Sequence, residues 1–115
     1  MSTVDEIIRE LENRRQMLLS RIEEEKRRLL EKNQEYERLR SQLADLDNKV
    51  IQARNAGNYI LAGNLVQQRN QILYRMMFLR WEINRELSEV DRMTREIRRI
   101  ENRILGLRTF HERPW

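Results

Sequence analysis

The segment from Asn48 to Trp81 contains the residues that are best suited to bind another molecule. It has no aspartate or glutamate, whereas it carries basic side chains and many amides. Guanidinium groups bind phosphate oxygens bidentately, amides add neutral hydrogen bonds, and the lack of carboxylates removes repulsion from a polyanion. The segment therefore predicts a surface for nucleic acid, with duplex DNA expected. The candidate contacts are Lys49, Arg54, Asn64, Gln68, Arg69, Gln71, Arg75 and Arg80.

An alternative interpretation of this segment needs no nucleic acid. Its apolar residues would only pack against a neighbouring helix, and its amides would only surround a turn. Both interpretations stay open on the sequence alone.

Residues for catalysis or metal binding are sparse. His111 is the only histidine, the chain has no cysteine, and no Glu-x-x-His spacing typical of metal sites in helical bundles occurs. The glycines Gly57, Gly63 and Gly106 stand alone and form no phosphate-binding loop. We therefore expect a protein that is not an enzyme and that uses no cofactor, metal or small-molecule substrate.

Apolar residues recur at alternating spacings of three and four along both halves of the chain. This seven-residue repeat is typical of a coiled-coil seam, in which two apolar columns face a partner helix. Because both halves carry such a seam, we predict an all-α fold, a long antiparallel two-helix coiled-coil hairpin. The first seam comprises Ile8, Leu11, Leu18, Ile22, Leu29, Tyr36, Leu39, Leu43, Leu46, Val50 and Ala53, and the second comprises Ala62, Leu65, Ile72, Met76, Leu79, Ile83, Val90, Met93, Ile97, Ile100, Ile104 and Leu107.

The turn of this hairpin is predicted at Asn55-Ala56-Gly57-Asn58. Glycine adopts the left-handed conformation that ends a helix, and asparagine caps the helix that follows. We predict one domain, residues 1–115, with the first helix at about 3–55, the turn at about 56–58, the second helix at about 59–107 and a short tail at 108–115. This register also pairs charged residues at seam positions. The predicted pairs are Arg15 with Glu101, Arg69 with Asp47, and Lys32 with Glu86.

Several large apolar side chains of the second helix fall outside its seam. A contiguous exposed apolar patch usually marks an interface, because leaving it in water costs several kcal/mol at about 25 cal/mol per Å². We predict that two hairpins pack face to face into a four-helix arrangement. A platform on which nucleotide bases stack is the alternative for Tyr74 and Trp81. The predicted self-association residues are Leu73, Tyr74, Met77, Phe78, Trp81, Phe110 and Trp115.

Charge is abundant and nearly balanced outside the acid-free segment. Charged residues make up 37% of the chain, and the net charge is +4. From residue 82 to residue 103, glutamates and arginines alternate along one helical face, which predicts a ladder that mostly neutralises itself. No apolar run is long enough for a membrane span or the core of a signal peptide, so the expected location is intracellular, including that of a virion component.

Two protein families resemble parts of this pattern. Around the turn, Leu46, Val50, Ala53, Tyr59, Ala62 and Leu65 resemble the short helical-hairpin motif of the UvrB and UvrC repair proteins. Acidic and arginine positions of that motif are replaced here by Ile60, Val66 and Gln67, so the resemblance implies the hairpin packing and not repair. The arginine-rich two-helix architecture resembles the DNA-coating capsid proteins of filamentous archaeal viruses. That resemblance implies a protein that wraps duplex DNA in a repeating shell.

These observations predict a non-enzymatic, self-assembling helical protein that coats or organises nucleic acid. The alternative is a coiled-coil adaptor or scaffold that binds only protein partners. Salt dependence separates them, because phosphate contacts weaken steeply as salt rises.

Overall fold

Two long α-helices make up nearly all of the computed structural model, which describes residues 3–111. Helix α1 spans Thr3–Asn55 and helix α2 spans Tyr59–His111. Each has the seven-residue apolar repeat that buries one stripe and leaves the rest in water. The predicted all-α helical hairpin is confirmed.

Helix α2 continues past its predicted end at Leu107. The backbone at Gly106 lacks the positive φ of a helix-terminating glycine, so this residue continues the helix. No proline occurs before Pro114, so nothing in the sequence from Leu107 to His111 opposes helical geometry. The helix therefore includes the first residues of the predicted tail.

The turn between the helices is closed by the hydrogen bonds expected from its sequence. Gly57 has a φ of 70°. The Asn58 N–H donates to the Ala53 carbonyl at 2.9 Å, and the Gly57 N–H donates to the Arg54 carbonyl at 3.0 Å, which is the Schellman pattern. Asn58 Oδ1 accepts the Leu61 N–H at 3.2 Å and so caps α2.

The chain divides into two compact units. The terminal unit comprises Met1–Arg28 and Glu86–Trp115, and the turn unit comprises Leu29–Arg85. Each contains a segment of α1 packed on a segment of α2, and the turn unit also contains the turn.

The core of each unit lies on the predicted seams. Met93 in the terminal unit and Leu79 in the turn unit have almost no exposed surface, at 0% and 1%. Among residues 3–111 no polar or charged residue is buried. Every buried residue is a predicted seam residue, which confirms the apolar columns. The buried set is Leu18, Ile22, Met93, Ile97, Ile100 and Ile104 in the terminal unit, and Leu29, Leu46, Val50, Ala53, Ala62, Met76 and Leu79 in the turn unit.

Ion pairs between α1 and α2 flank these cores. The predicted pairs Arg15 with Glu101, at 3.0 Å, and Arg69 with Asp47, at 3.3 Å, are both present. Lys32 contacts Glu82 at 2.8 Å, about one helical turn before the predicted Glu86. These contacts agree with the register that the turn imposes.

Candidate interaction surfaces

The cations of the acid-free segment are largely paired with carboxylates that lie outside it. Arg75 donates to both carboxylate oxygens of Glu35, from Nε at 3.1 Å and from Nη2 at 3.3 Å. Arg69 is bound by Asp47, and Lys49 lies 3.2 Å from Asp45 on its own helix. The expectation that nothing nearby neutralises these three cations was therefore wrong. The segment is free of acids along the chain, but it is not free of them in space.

Arg54 and Arg80 differ from the other basic residues of the segment. Both are exposed, and their side chains form no ion pair or hydrogen bond with any residue in the described part of the chain. Of the basic candidate phosphate contacts in the segment, these two are the ones whose guanidinium N–H donors bind no other described residue. That they bind nucleic acid stays a prediction.

Within α2, most amides and aromatics of the segment lie on a different side of the helix from Arg69, Arg75 and Arg80. Positions at helical spacing from residue 63 to residue 84 form one exposed stripe on the side of α2 that faces away from the seam. None of these positions carries a charge, and we call the stripe the uncharged face. Arg69, Arg75 and Arg80 instead lie at or beside the seam. The uncharged face comprises Gly63, Asn64, Gln67, Asn70, Gln71, Tyr74, Met77, Phe78, Trp81 and Asn84.

Large apolar side chains dominate one half of the uncharged face. Tyr74 is 72% exposed, Met77 67%, Phe78 53% and Trp81 56%. The rings of Phe78 and Trp81 stack with centroids 6.0 Å apart and an angle of 25° between their planes. Together these side chains present on the order of 400 Å² of apolar surface, which is as large as the main patch of a typical soluble monomer.

Arginine guanidinium groups lie over both ends of this aromatic stack. The Arg75 guanidinium carbon is 5.9 Å from the Phe78 ring centroid, and that of Arg85 is 5.5 Å from the Trp81 centroid. Cation–π contacts at exposed sites each contribute about 0.5–1 kcal/mol. They favour the stacked arrangement of the two rings.

The other residues predicted for self-association lie elsewhere. Leu73 lies at the edge of the uncharged face and is 37% exposed. Phe110 is exposed and belongs to the terminal unit. Trp115 lies outside the described residues, as does the side chain of His111.

A concentration of arginines in the terminal unit was missed by the sequence analysis. Arg14 of α1 and Arg92, Arg99 and Arg103 of α2 line one open groove, with Glu96 as its single carboxylate. We call this the arginine groove. Its other lining residues, Leu11 and Ile100, are apolar. The alternation of glutamate and arginine along α2 did not predict this groove, because it takes no account of Arg14 on α1.

The carboxylates of the predicted ladder do not neutralise all of its arginines. Glu96 accepts hydrogen bonds from Arg14 of α1 and from Arg92. Arg92 also contacts Glu89 at 2.6 Å, and this hydrogen bond raises the pKa of the Arg92 guanidinium above its ordinary value. Arg99 and Arg103 have no ion pair with any residue that the structure describes. The prediction of a mostly self-neutralised ladder was wrong at these two positions.

No protein-family model, curated protein or solved structure matches this chain. The two resemblances stated from the sequence therefore stay predictions. Within residues 3–111 no cluster of three or more metal-ligating side chains occurs, and neither described helix has an apolar stretch long enough to cross a membrane.

Proposed function

We propose that this chain is a non-enzymatic helical scaffold that works through protein–protein contact, with a second copy of itself as the partner. The uncharged face of α2 is the contact surface. The observation that carries the proposal is that this face is exposed, has no charged residue and presents a pair of stacked aromatic rings. The outer side of a helix that remains in water is normally rich in charge.

Area estimates indicate how strong this contact is. Covering the large apolar side chains on two copies removes on the order of 800 Å² from water, which contributes about 20 kcal/mol at 25 cal/mol per Å². Association itself costs roughly 4–15 kcal/mol, and stable interfaces bury about 1,200 Å² or more. The amides must therefore be covered as well. We expect a dimer with a dissociation constant in the micromolar range.

The charge distribution favours a second copy as the occupant. A face of one sign would repel its own copy, whereas the side chains of an uncharged face do not repel one another. Arg75, Arg80 and Arg85 lie close to this face, and in a dimer they approach cations of the other copy. Salt screens such repulsion. Dimerisation should therefore stay constant or strengthen as salt rises.

Light scattering and sedimentation over a range of protein concentrations test this proposal. We expect a monomer–dimer equilibrium that the double variant Phe78→Glu, Trp81→Glu shifts fully to monomer. The matched control is Leu30→Glu, Ile51→Glu, which places the same charges on exposed apolar positions of α1 in the same unit. It should dimerise like the wild-type chain. A wild-type monomer at about 100 µM, far above a micromolar dissociation constant, would contradict the proposal.

Coating of nucleic acid is the second candidate function. It is favoured by the side chains of Arg54 and Arg80, which have no ion-pair or hydrogen-bond partner among residues 3–111. If these guanidinium groups contact phosphate, the double variant Arg54→Gln, Arg80→Gln should lose affinity for duplex DNA. The slope of the logarithm of the binding constant against that of salt concentration should fall by about 0.9 per lost contact. Lys49→Gln is the control, because Lys49 is already paired with Asp45. Equal affinity of the double variant and the wild-type chain would remove this candidate.

The two candidates respond to salt in opposite directions. DNA binding weakens steeply between low and moderate salt, whereas contact between uncharged faces does not. Measuring DNA affinity and dimerisation against salt concentration on one preparation therefore distinguishes the two candidate functions.

A further inference from the structure

We infer that the arginine groove of the terminal unit is a binding site for a phosphate-bearing anion. The groove has a volume of about 410 Å³ and is lined by guanidinium groups from both helices. It lies in a different unit from the uncharged face. This inference therefore goes beyond the proposed function and does not depend on it.

The charges that line the groove do not balance. Arg14, Arg92, Arg99 and Arg103 face a single carboxylate, that of Glu96. The carboxylates that might compensate are already bound. Glu96 binds Arg14 and Arg92, Glu89 binds Arg92, and Glu101 accepts a hydrogen bond from Arg15 at 3.0 Å. An excess of positive charge in one concave surface attracts anions and raises their local concentration.

The spacing of the unpaired arginines suits an oxyanion. Arg99 and Arg103 are four residues apart on α2, so their side chains start roughly 5–6 Å apart on the same side of the helix. Both are exposed, and neither has an ion-pair partner among residues 3–111, so all their guanidinium donors are available. An anion between them accepts charge-assisted hydrogen bonds from two planar groups at once.

Phosphate fits this arrangement better than carboxylate does. A phosphate group offers three acceptor oxygens and more than one negative charge, whereas a carboxylate offers two oxygens and one charge. Arg14 and Arg92 lie in the same groove and share the carboxylates of Glu96 and Glu89, so they add little net charge but keep N–H donors for a neighbouring phosphate. We therefore expect a ligand with adjacent phosphates, either a free polyphosphate or the backbone of a nucleic acid.

Calorimetric titration with tripolyphosphate at low ionic strength tests this inference. We expect saturable binding that the double variant Arg99→Gln, Arg103→Gln weakens by about tenfold or more, because each charge-assisted hydrogen bond contributes strongly to affinity. The control is Arg9→Gln, Arg21→Gln, which removes the same charge from exposed α1 positions in the same unit. Its affinity should stay within about twofold of the wild-type value, since it changes only screened, long-range potential.

Three further results decide the inference. Equal losses in the two double variants would show that only net charge matters and would overturn the inference. The absence of saturable binding by the wild-type chain would overturn it as well, because the groove would then hold no phosphate. Equally tight binding of oligoglutamate would overturn the preference for phosphate. Duplex DNA titrated in parallel identifies the source of the phosphate. If DNA affinity also falls in Arg99→Gln, Arg103→Gln, the nucleic-acid backbone supplies it, and if only tripolyphosphate binds, the ligand is a free polyphosphate.

Light scattering on the same variants keeps this result apart from the proposed function. Arg99→Gln, Arg103→Gln should dimerise like the wild-type chain, because its changes lie in the terminal unit. Phe78→Glu, Trp81→Glu should keep its affinity for tripolyphosphate. Each site is thereby tested without the other.

Discussion

The outer side of α2 has opposite character in the two units. In the turn unit it is uncharged from Gly63 to Asn84, and apolar rings project from it. In the terminal unit many of the equivalent positions are charged, and ion pairs such as Arg95 with Asp91, at 2.8 Å, lie among them. The seam is the same on both sides of this boundary. One helical repeat therefore fixes the core and leaves the outer side free to carry distinct surfaces. The charged positions are Asp91, Arg92, Arg95, Arg98 and Arg99.

Substitutions in the cores should have the largest effects on stability. They test whether the two units differ only at the surface. Leu79→Ala in the turn unit and Met93→Ala in the terminal unit each remove a side chain that is almost fully enclosed. We expect each to lower the free energy of unfolding by roughly 2–5 kcal/mol. Urea unfolding followed by circular dichroism measures this. Leu87→Ala, at a 51% exposed position, should change it by less than about 0.5 kcal/mol. Clearly unequal losses in the free energy of unfolding for the two variants would show that the two units also differ in their cores.

Glycine substitutions should give effects of opposite sign in the two units. At Gly57 the positive φ opposes any side chain, so Gly57→Ala should destabilise by about 1–2 kcal/mol. At Gly106 the backbone is helical, so Gly106→Ala should stabilise by roughly 0.5–1 kcal/mol. Apart from the adjoining backbone, no atom of residues 3–111 lies within 4 Å of the added Cβ at either site, so backbone conformation decides the sign. Thermal unfolding of both variants measures the two effects. A stabilising Gly57→Ala would contradict the described turn.

The smallest effects should distinguish the predicted ion pairs. The Arg69 side chain is 33% exposed and its Nε is enclosed, whereas Arg15 is 42% exposed. Double-mutant cycles should give a coupling of roughly 1 kcal/mol for Arg69 with Asp47 and about 0.5 kcal/mol or less for Arg15 with Glu101. Raising salt should reduce the second coupling more. Equal couplings at all salt concentrations would contradict this ranking.

Much of the fold follows from local pattern. The apolar repeat predicts every buried residue, and Gly57 with Asn58 predicts the turn, because both signals depend only on neighbours in sequence. The position of the turn also sets which residues of α1 and α2 meet. It therefore predicts Glu101 as the partner of Arg15 and Asp47 as the partner of Arg69. The end of α2 was placed too early, because the apolar repeat ends at Leu107 whereas the helix continues to His111.

The surfaces were harder to predict, because the distribution of charge along the sequence does not show which carboxylates of one helix lie next to arginines of the other. Glu35 lies 40 residues from Arg75 in sequence and still binds it with both oxygens. Likewise, Glu96 is partnered by Arg14 of the other helix, which leaves Arg99 without a carboxylate. Successive residues of an α-helix point about 100° apart, so the sequence alone places Tyr74 and Arg75 on different sides of α2.

The uncharged face occurs on α2 and has no counterpart on the outer side of α1 in the turn unit. There, Glu31, Glu37, Arg38 and Asp45 are exposed and keep that side hydrated. The proposed self-contact therefore gives each chain a single contact surface. Assembly through that surface alone would stop at a closed dimer, and a longer array would require a second kind of contact.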